Sequence, residues 1–242
     1  KVYWVIFWII ALSFIVGRFK HKLIPEVIQN TFNYIGSFWM AVMLYSFMIL
    51  PVLDLVRFIL KRTELKNSRI FQIHNFNLYI GIAMLICIVG ILAYGTYQAR
   101  NINVNSYNIK IQKSASPLEK LHMVFLSDIH LGNIVDNSQL ERIVDRVNGL
   151  KPDIVLLGGD LIDDSLEPYI KQGMAKTFKK LKSKYGSYAV LGNHDGNSKN
   201  QWDVVRHFED GGIKVLMDQH VRIEDSFYIV GRVDNGMPRG GT

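Results

Sequence analysis

Three long apolar runs occupy the first hundred residues, and short blocks of alternating character occupy the rest. Val2 to Gly17 and Val27 to Leu53 contain no charged residue, and Ile70 to Ala99 contains only His74. A helix crosses a bilayer core with about 20 mainly apolar residues, so the second and third runs are long enough and the first nearly so. The pattern predicts three transmembrane helices, about 2–18, 33–56 and 76–97, within a membrane domain over 1–98. Tyr3, Trp4, Tyr94 and Tyr97 lie toward the ends of these runs, where amphipathic rings favour the lipid–water boundary. A cleaved signal peptide accounts for one such run, not three. Pro51 predicts a kink in the second span, because proline removes a backbone hydrogen bond.

Beyond residue 98 the periodicity changes. The polar stretch 99–120 reads as a linker, within which "YNIKI" (107–111) alternates as a first half-buried strand would. Apolar blocks at 121–126, 153–157 and 187–191 are strand-like, and amphipathic stretches at 138–149, 168–183 and 200–210 are helix-like. Strands alternating with helices of this length predict parallel pairing through crossovers. Three further short blocks, 213–216, 220–224 and 227–231, have no helix between them and read as strands, the last two joined by a hairpin at Asp225-Ser226.

Charge divides the chain in the same place. Residues 1–100 carry 10 Lys and Arg against 3 Asp and Glu, and residues 101–242 carry 18 against 18. The formal charge of +7 therefore belongs to the membrane part. The balanced remainder offers no broad basic footprint, so no nucleic-acid partner is expected. Arg57, Lys61, Arg62, Lys66 and Arg69 outweigh Arg18, Lys20 and Lys22, and basic loops tend to stay cytoplasmic. This places the second connector inside and, after three spans, everything beyond about residue 98 outside the cytoplasm, with Arg100, Lys110 and Lys113 weighing the other way. Cys87, the single cysteine, lies in the third apolar run and excludes a thiolate metal site.

The candidate chemistry sits where the strand-like blocks end. The first runs into "SDIHLG" (127–132), the second into "GGDLIDD" (158–164) and the third into "GNHDG" (192–196). The carboxyl ends of strands in an open parallel sheet line the crevice where ligands bind. Oxygen and imidazole donors brought together there suit Mn, Fe or Zn. Asp163 and Asp164 read as a solvated loop, and Lys176, Lys179, Lys180, Lys182 and Lys184 as the wet face of a helix. His21, His74, His122, His207 and His220 have no partner at ligand spacing. Arg232 follows the last strand-like block, within reach of a substrate phosphate.

The ordered set Asp128-x-His130, Gly159-Asp160 and Gly192-Asn193-His194-Asp195 resembles the calcineurin-like metallophosphoesterase superfamily. "VGRVD" (230–234) and the apolar runs upstream resemble its membrane-attached bacterial branch. The resemblance implies an α/β fold, a four-layer α/β/β/α sandwich, over 121–242, with two divalent metal ions (Mn, Fe or Zn) at its edge. It further implies that Asp128 and His130 bind the first metal, that Asp160 bridges both and that Asn193 binds the second. By the same resemblance, His194 would face the substrate and Asp195 would hold its ring. A later single histidine and a Gly-His-x-His segment belong to the pattern and have no counterpart after His194. The catalytic domain is accordingly expected to be truncated at its C-terminal end, and the chain, which starts at Lys1, to be a fragment.

Two functional classes follow. One is a membrane-anchored phosphoesterase, partnered by the lipid bilayer and a phosphate-ester substrate, acting on a phosphomonoester or diester such as a lipid or envelope metabolite. The other is a catalytically inactive membrane interaction protein that retains the fold. The three intact motifs favour the enzyme.

Overall fold

The computed structural model describes residues 1–18, 24–63, 74–113, 118–163, 165–196 and 201–234. They fall into two compact units that divide between Asn101 and Ile102. Lys20, His21, Lys22, Lys66, Arg69 and Asp164 lie outside the described residues.

The first unit is helical: α1 (Val2–Arg18), α2 (Glu26–Leu60) and α3 (Phe76–Arg100). Its apolar side chains point outward, Val27 and Phe47 each being about three-quarters exposed, as bilayer-facing side chains do. Among the described residues, two helices are long and apolar enough to cross a membrane, one over Val27–Leu60 and one over Phe76–Arg100, while the apolar stretch Val2–Gly17 is shorter. At 1.5 Å per residue the 35 residues of α2 extend about 52 Å. The helix outruns the predicted 33–56 at both ends. Thr31 and Ser37 donate their hydroxyls to the carbonyls of Val27 and Asn33, both at 2.8 Å, which removes the cost of an unpaired polar group in lipid. Pro51 lies within this helix. α1 and α2 touch backbone to backbone at two glycines: a Cβ on Gly36 would stand 2.3 Å from the Cα of Phe14, and one on Gly17 2.4 Å from the nitrogen of Asn33. Small residues permit such close helix approach in membranes.

The second unit is α/β. β1 (Met123–Leu126), α4 (Asn137–Leu150), β2 (Ile154–Leu157), α5 (Glu167–Lys171), α6 (Met174–Phe178), β3 (Ser187–Ala189), α7 (Asn193–Gly196), α8 (Gln201–Asp210) and β4 (Ile213–Val215) follow in order, then β5 (Gln219–Ile223) and β6 (Phe227–Gly231). The first four strands form one parallel sheet in chain order, β1-β2-β3-β4. β5 and β6 form a separate antiparallel pair, closed by a turn in which Glu224 and Asp225 both take positive φ. Alternation sorts the sheet into faces. Val124, Val155, Ala189, Ile213 and Val215 are buried in one core with Leu140, Val144 and Val147, spaced four and three along α4. On the other face of β1, Met123 and Phe125 remain exposed.

Two readings of the sequence change here. The helix predicted over 168–183 is two short helices, because Gly173 takes a left-handed φ of 66° between α5 and α6 and interrupts the turn-to-turn hydrogen bonding. Residues 107–111 pair with no strand among the described residues, and Tyr107, Ile109 and Ile111 are about four-fifths exposed. Alternation marks a segment able to form a strand, but a strand also needs a neighbour to bond.

Candidate metal centre

β1, β2 and β3 are parallel neighbours, so the loops that leave their carboxyl ends lie side by side. The first two are laced together by backbone bonds. Asp128 N–H donates to the Gly159 carbonyl at 3.0 Å, His130 N–H to that of Asp160 at 3.0 Å, and Leu131 N–H to that of Leu161 at 2.8 Å; Asp163 N–H returns to Leu131 at 2.9 Å. The second and third loops meet even more closely. A Cβ on Gly159 would stand 2.7 Å from the nitrogen of Gly192, and one on Gly192 only 2.2 Å from Oδ1 of Asp160. Glycine at both positions is a steric requirement. Asp128, His130 and Asp160 take φ values of 56°, 51° and 51°, a left-handed region costly for side-chain-bearing residues.

This lacing brings donors together. One ligand atom each of Asp128, His130 and Asp160 lies within 4.8 Å of the others, and so does one each of His130, Asp163 and His194. Ligands at 2.0–2.2 Å from one ion stand at most about 4.4 Å apart, so the first set fits a divalent cation with little adjustment, and its oxygens and imidazole suit Mn, Fe or Zn. The rings of His130 and His194 meet edge to face, 4.7 Å between centroids and 86° between planes. The His194 backbone N–H donates to Oδ1 of Asp160 at 2.9 Å, fixing the carboxylate on which the first set depends. Asn193 opens α7 beside it, with an exposed side chain.

Asp195 follows His194 in α7. It is fully buried, and its oxygens accept three backbone N–H groups: Ile162 at 2.9 Å on Oδ1, and Gly192 at 3.0 Å and Leu161 at 3.3 Å on Oδ2. Burial pushes the Asp195 carboxyl above the usual range; the three N–H groups pull the other way, and the nearby Asp160 charge adds to the rise. Asp163, read from sequence as a solvated loop residue, is exposed but stands with His130 and His194. Arg232 is paired through Nε with Asp218 at 3.1 Å, and its side chain is 78% exposed. Lys180 of the lysine run pairs with Glu141 at 3.0 Å.

A parallel sheet whose strand ends gather oxygen and imidazole donors defines a class, the α/β domains built around a divalent-metal centre. Within it, residues 121–240 match the model of the calcineurin-like phosphoesterase family. The chain is 34% identical over 142 residues to a transmembrane protein with metallophosphoesterase domain of Danio rerio, covering 58% of this chain and 32% of that one. It is 31% identical over 151 residues to an uncharacterized metallophosphoesterase of Bacillus subtilis, covering 62% and 55%. An uncharacterized metallophosphoesterase of Campylobacter jejuni aligns over 205 residues at 27% identity, covering 81% and 51%. The chain thus spans between about a third and just over half of the length of these relatives. No solved structure matches it.

Proposed function

We propose that the full-length protein is a membrane-anchored, metal-dependent phosphoesterase that hydrolyses a phosphomonoester or phosphodiester at a two-metal centre. The observation that carries this reading is the convergence of Asp128, His130 and Asp160, from two separate loops, to within 4.8 Å of one another. Asp128, His130 and Asp160 would hold one ion, and Asp160 and Asn193 the other. When bound, a pair of Mn, Fe or Zn ions supplies Lewis-acid polarisation of the phosphoryl oxygens and clamps the attacking and leaving oxygens. Asn193 contributes an oxygen without a charge that would repel an anionic ester. His194 donates a proton to the departing alkoxide, a role typically worth 10²–10⁴-fold, and Asp163 gives its ring a carboxylate neighbour.

Two helices able to cross a membrane, and relatives named as transmembrane proteins in Danio rerio and Bos taurus, support a membrane location. The anchor favours substrates that reside at the bilayer, a lipid head group or an envelope metabolite. The cationic end of α2 and the turn after it, with Arg57, Lys61 and Arg62, supports a cytoplasmic second connector and a catalytic unit outside the cytoplasm. The test is hydrolysis of bis-p-nitrophenyl phosphate by the full-length protein. Activity is expected with added Mn²⁺ and lost to EDTA; equal turnover in excess EDTA overturns the metal reading.

A further inference from the structure

The geometry points to Asp195 as a positioning residue that sets metal affinity by clasping the loop after β2 to the loop after β3. This rests on the metal-centre reading above and assigns a separate task within it. The clasp runs in both directions. The third loop sends the Asp195 carboxylate into the backbone of the second, where it accepts the N–H groups of Leu161 and Ile162, and it also accepts Gly192 N–H within its own loop. The second loop answers with Asp160, whose Oδ1 accepts His194 N–H from the third.

The order of residues gives the clasp its leverage. Leu161 and Ile162 directly follow Asp160, and Gly192 directly precedes Asn193. Each of the two proposed ligands therefore adjoins a residue whose amide is held by the same carboxylate. No side chain intervenes, since a Cβ on Gly192 would collide with Asp160. A rotation of either loop by a fraction of an ångström must either break a bond to Asp195 or carry its ligand with it. Asp195 touches neither metal nor substrate in this account; it acts through Asp160 and Asn193. Second-layer partners of this kind typically change metal affinity by about 10–100-fold.

The chemistry of the acceptor makes the claim testable. Both oxygens of a carboxylate accept, and here both are used, one by Ile162 and the other by Gly192 and Leu161. An asparagine accepts on one side only and presents N–H groups on the other. In Asp195→Asn one set of bonds survives, and the other becomes donor against donor at about the same 2.9–3.0 Å. Asp195→Glu keeps both oxygens but moves them outward by one methylene, so three amides fixed by the loops can no longer be met at once.

Full-length protein in detergent, stripped of metal, is titrated with Mn²⁺ alone and the free ion followed by electron paramagnetic resonance, with near-UV circular dichroism as the check on folding. Asp195→Asn is expected to bind Mn²⁺ about 10–100-fold more weakly than wild type while remaining folded. If Asp195→Asn does not fold, Asp195→Glu decides, with a loss of about 10-fold or more expected. A folded variant that binds Mn²⁺ within twofold of wild type overturns the positioning role. Wild type that binds no Mn²⁺ overturns the metal centre itself, so the two failures are distinct.

Discussion

Gly192→Ala tests how tightly the second and third loops are held. The added Cβ would lie 2.2 Å from Oδ1 of Asp160 and 2.5 Å from its backbone nitrogen, where ordinary contact begins near 3.4 Å. The two loops must therefore part by about 1 Å, and the obstacle includes backbone that cannot rotate away. Because Asp160 is the residue displaced, the movement is delivered to a proposed ligand. A misplacement of about 1 Å costs about 10²-fold in rate, and overpacking of this kind costs about 1–3 kcal/mol in stability. Turnover of bis-p-nitrophenyl phosphate across a Mn²⁺ series, together with thermal unfolding, measures both. Gly149→Ala is the control: it lies in α4, its Cβ would meet nothing within 4 Å, and alanine favours a helix over glycine by up to about 1 kcal/mol. It should match or exceed wild-type stability with unchanged turnover. Wild-type activity and wild-type Mn²⁺ requirement in Gly192→Ala would refute the argument that loop contact sets the site.

His194→Ala should retain Mn²⁺ while kcat falls by about two to four powers of ten, and the loss should shrink for esters whose leaving group has a low pKa. Loss of bound Mn²⁺ in that variant, or an equal effect on good and poor leaving groups, removes the general-acid role and leaves the imidazole a metal ligand in the first case and a phosphate-binding group in the second. Protease added to cells with an opened outer barrier and a sealed inner membrane should cut the catalytic unit; protection until the inner membrane is lysed would place it in the cytoplasm and give Arg100, Lys110 and Lys113 the deciding weight.

The sheet was legible because burial leaves a period in the sequence. The blocks ending at Leu126, Leu157 and Leu191 foreshadow β1, β2 and β3, and parallel pairing of those strands sets the polar residues that follow them side by side. What stayed hidden depends on contacts without a sequence period. Asp163 reaches His130 and His194 because Leu131 bridges to Ile162, and spacing along one loop carries no sign of that. The bonds of Asp195 to backbone N–H groups of its own and the neighbouring loop were not legible, because every residue but proline possesses such a group and none advertises it. The break between α5 and α6 turns on a single φ at Gly173, where the surrounding lysines still suggest one continuous wet face.

Asp128, His130 and Asp160 hold left-handed backbone angles at an energy of about 1–2 kcal/mol per residue, a region glycine enters without steric penalty. Selection for thermal resistance alone would therefore drift toward glycine at these three positions and erase the donors together with the strain. Variants lost to the chemistry should accumulate in the cell at least as well as the parent. In a screen of this protein, abundance and function will separate at these positions, and a well-expressed, inert variant will mark a residue that belongs to the centre.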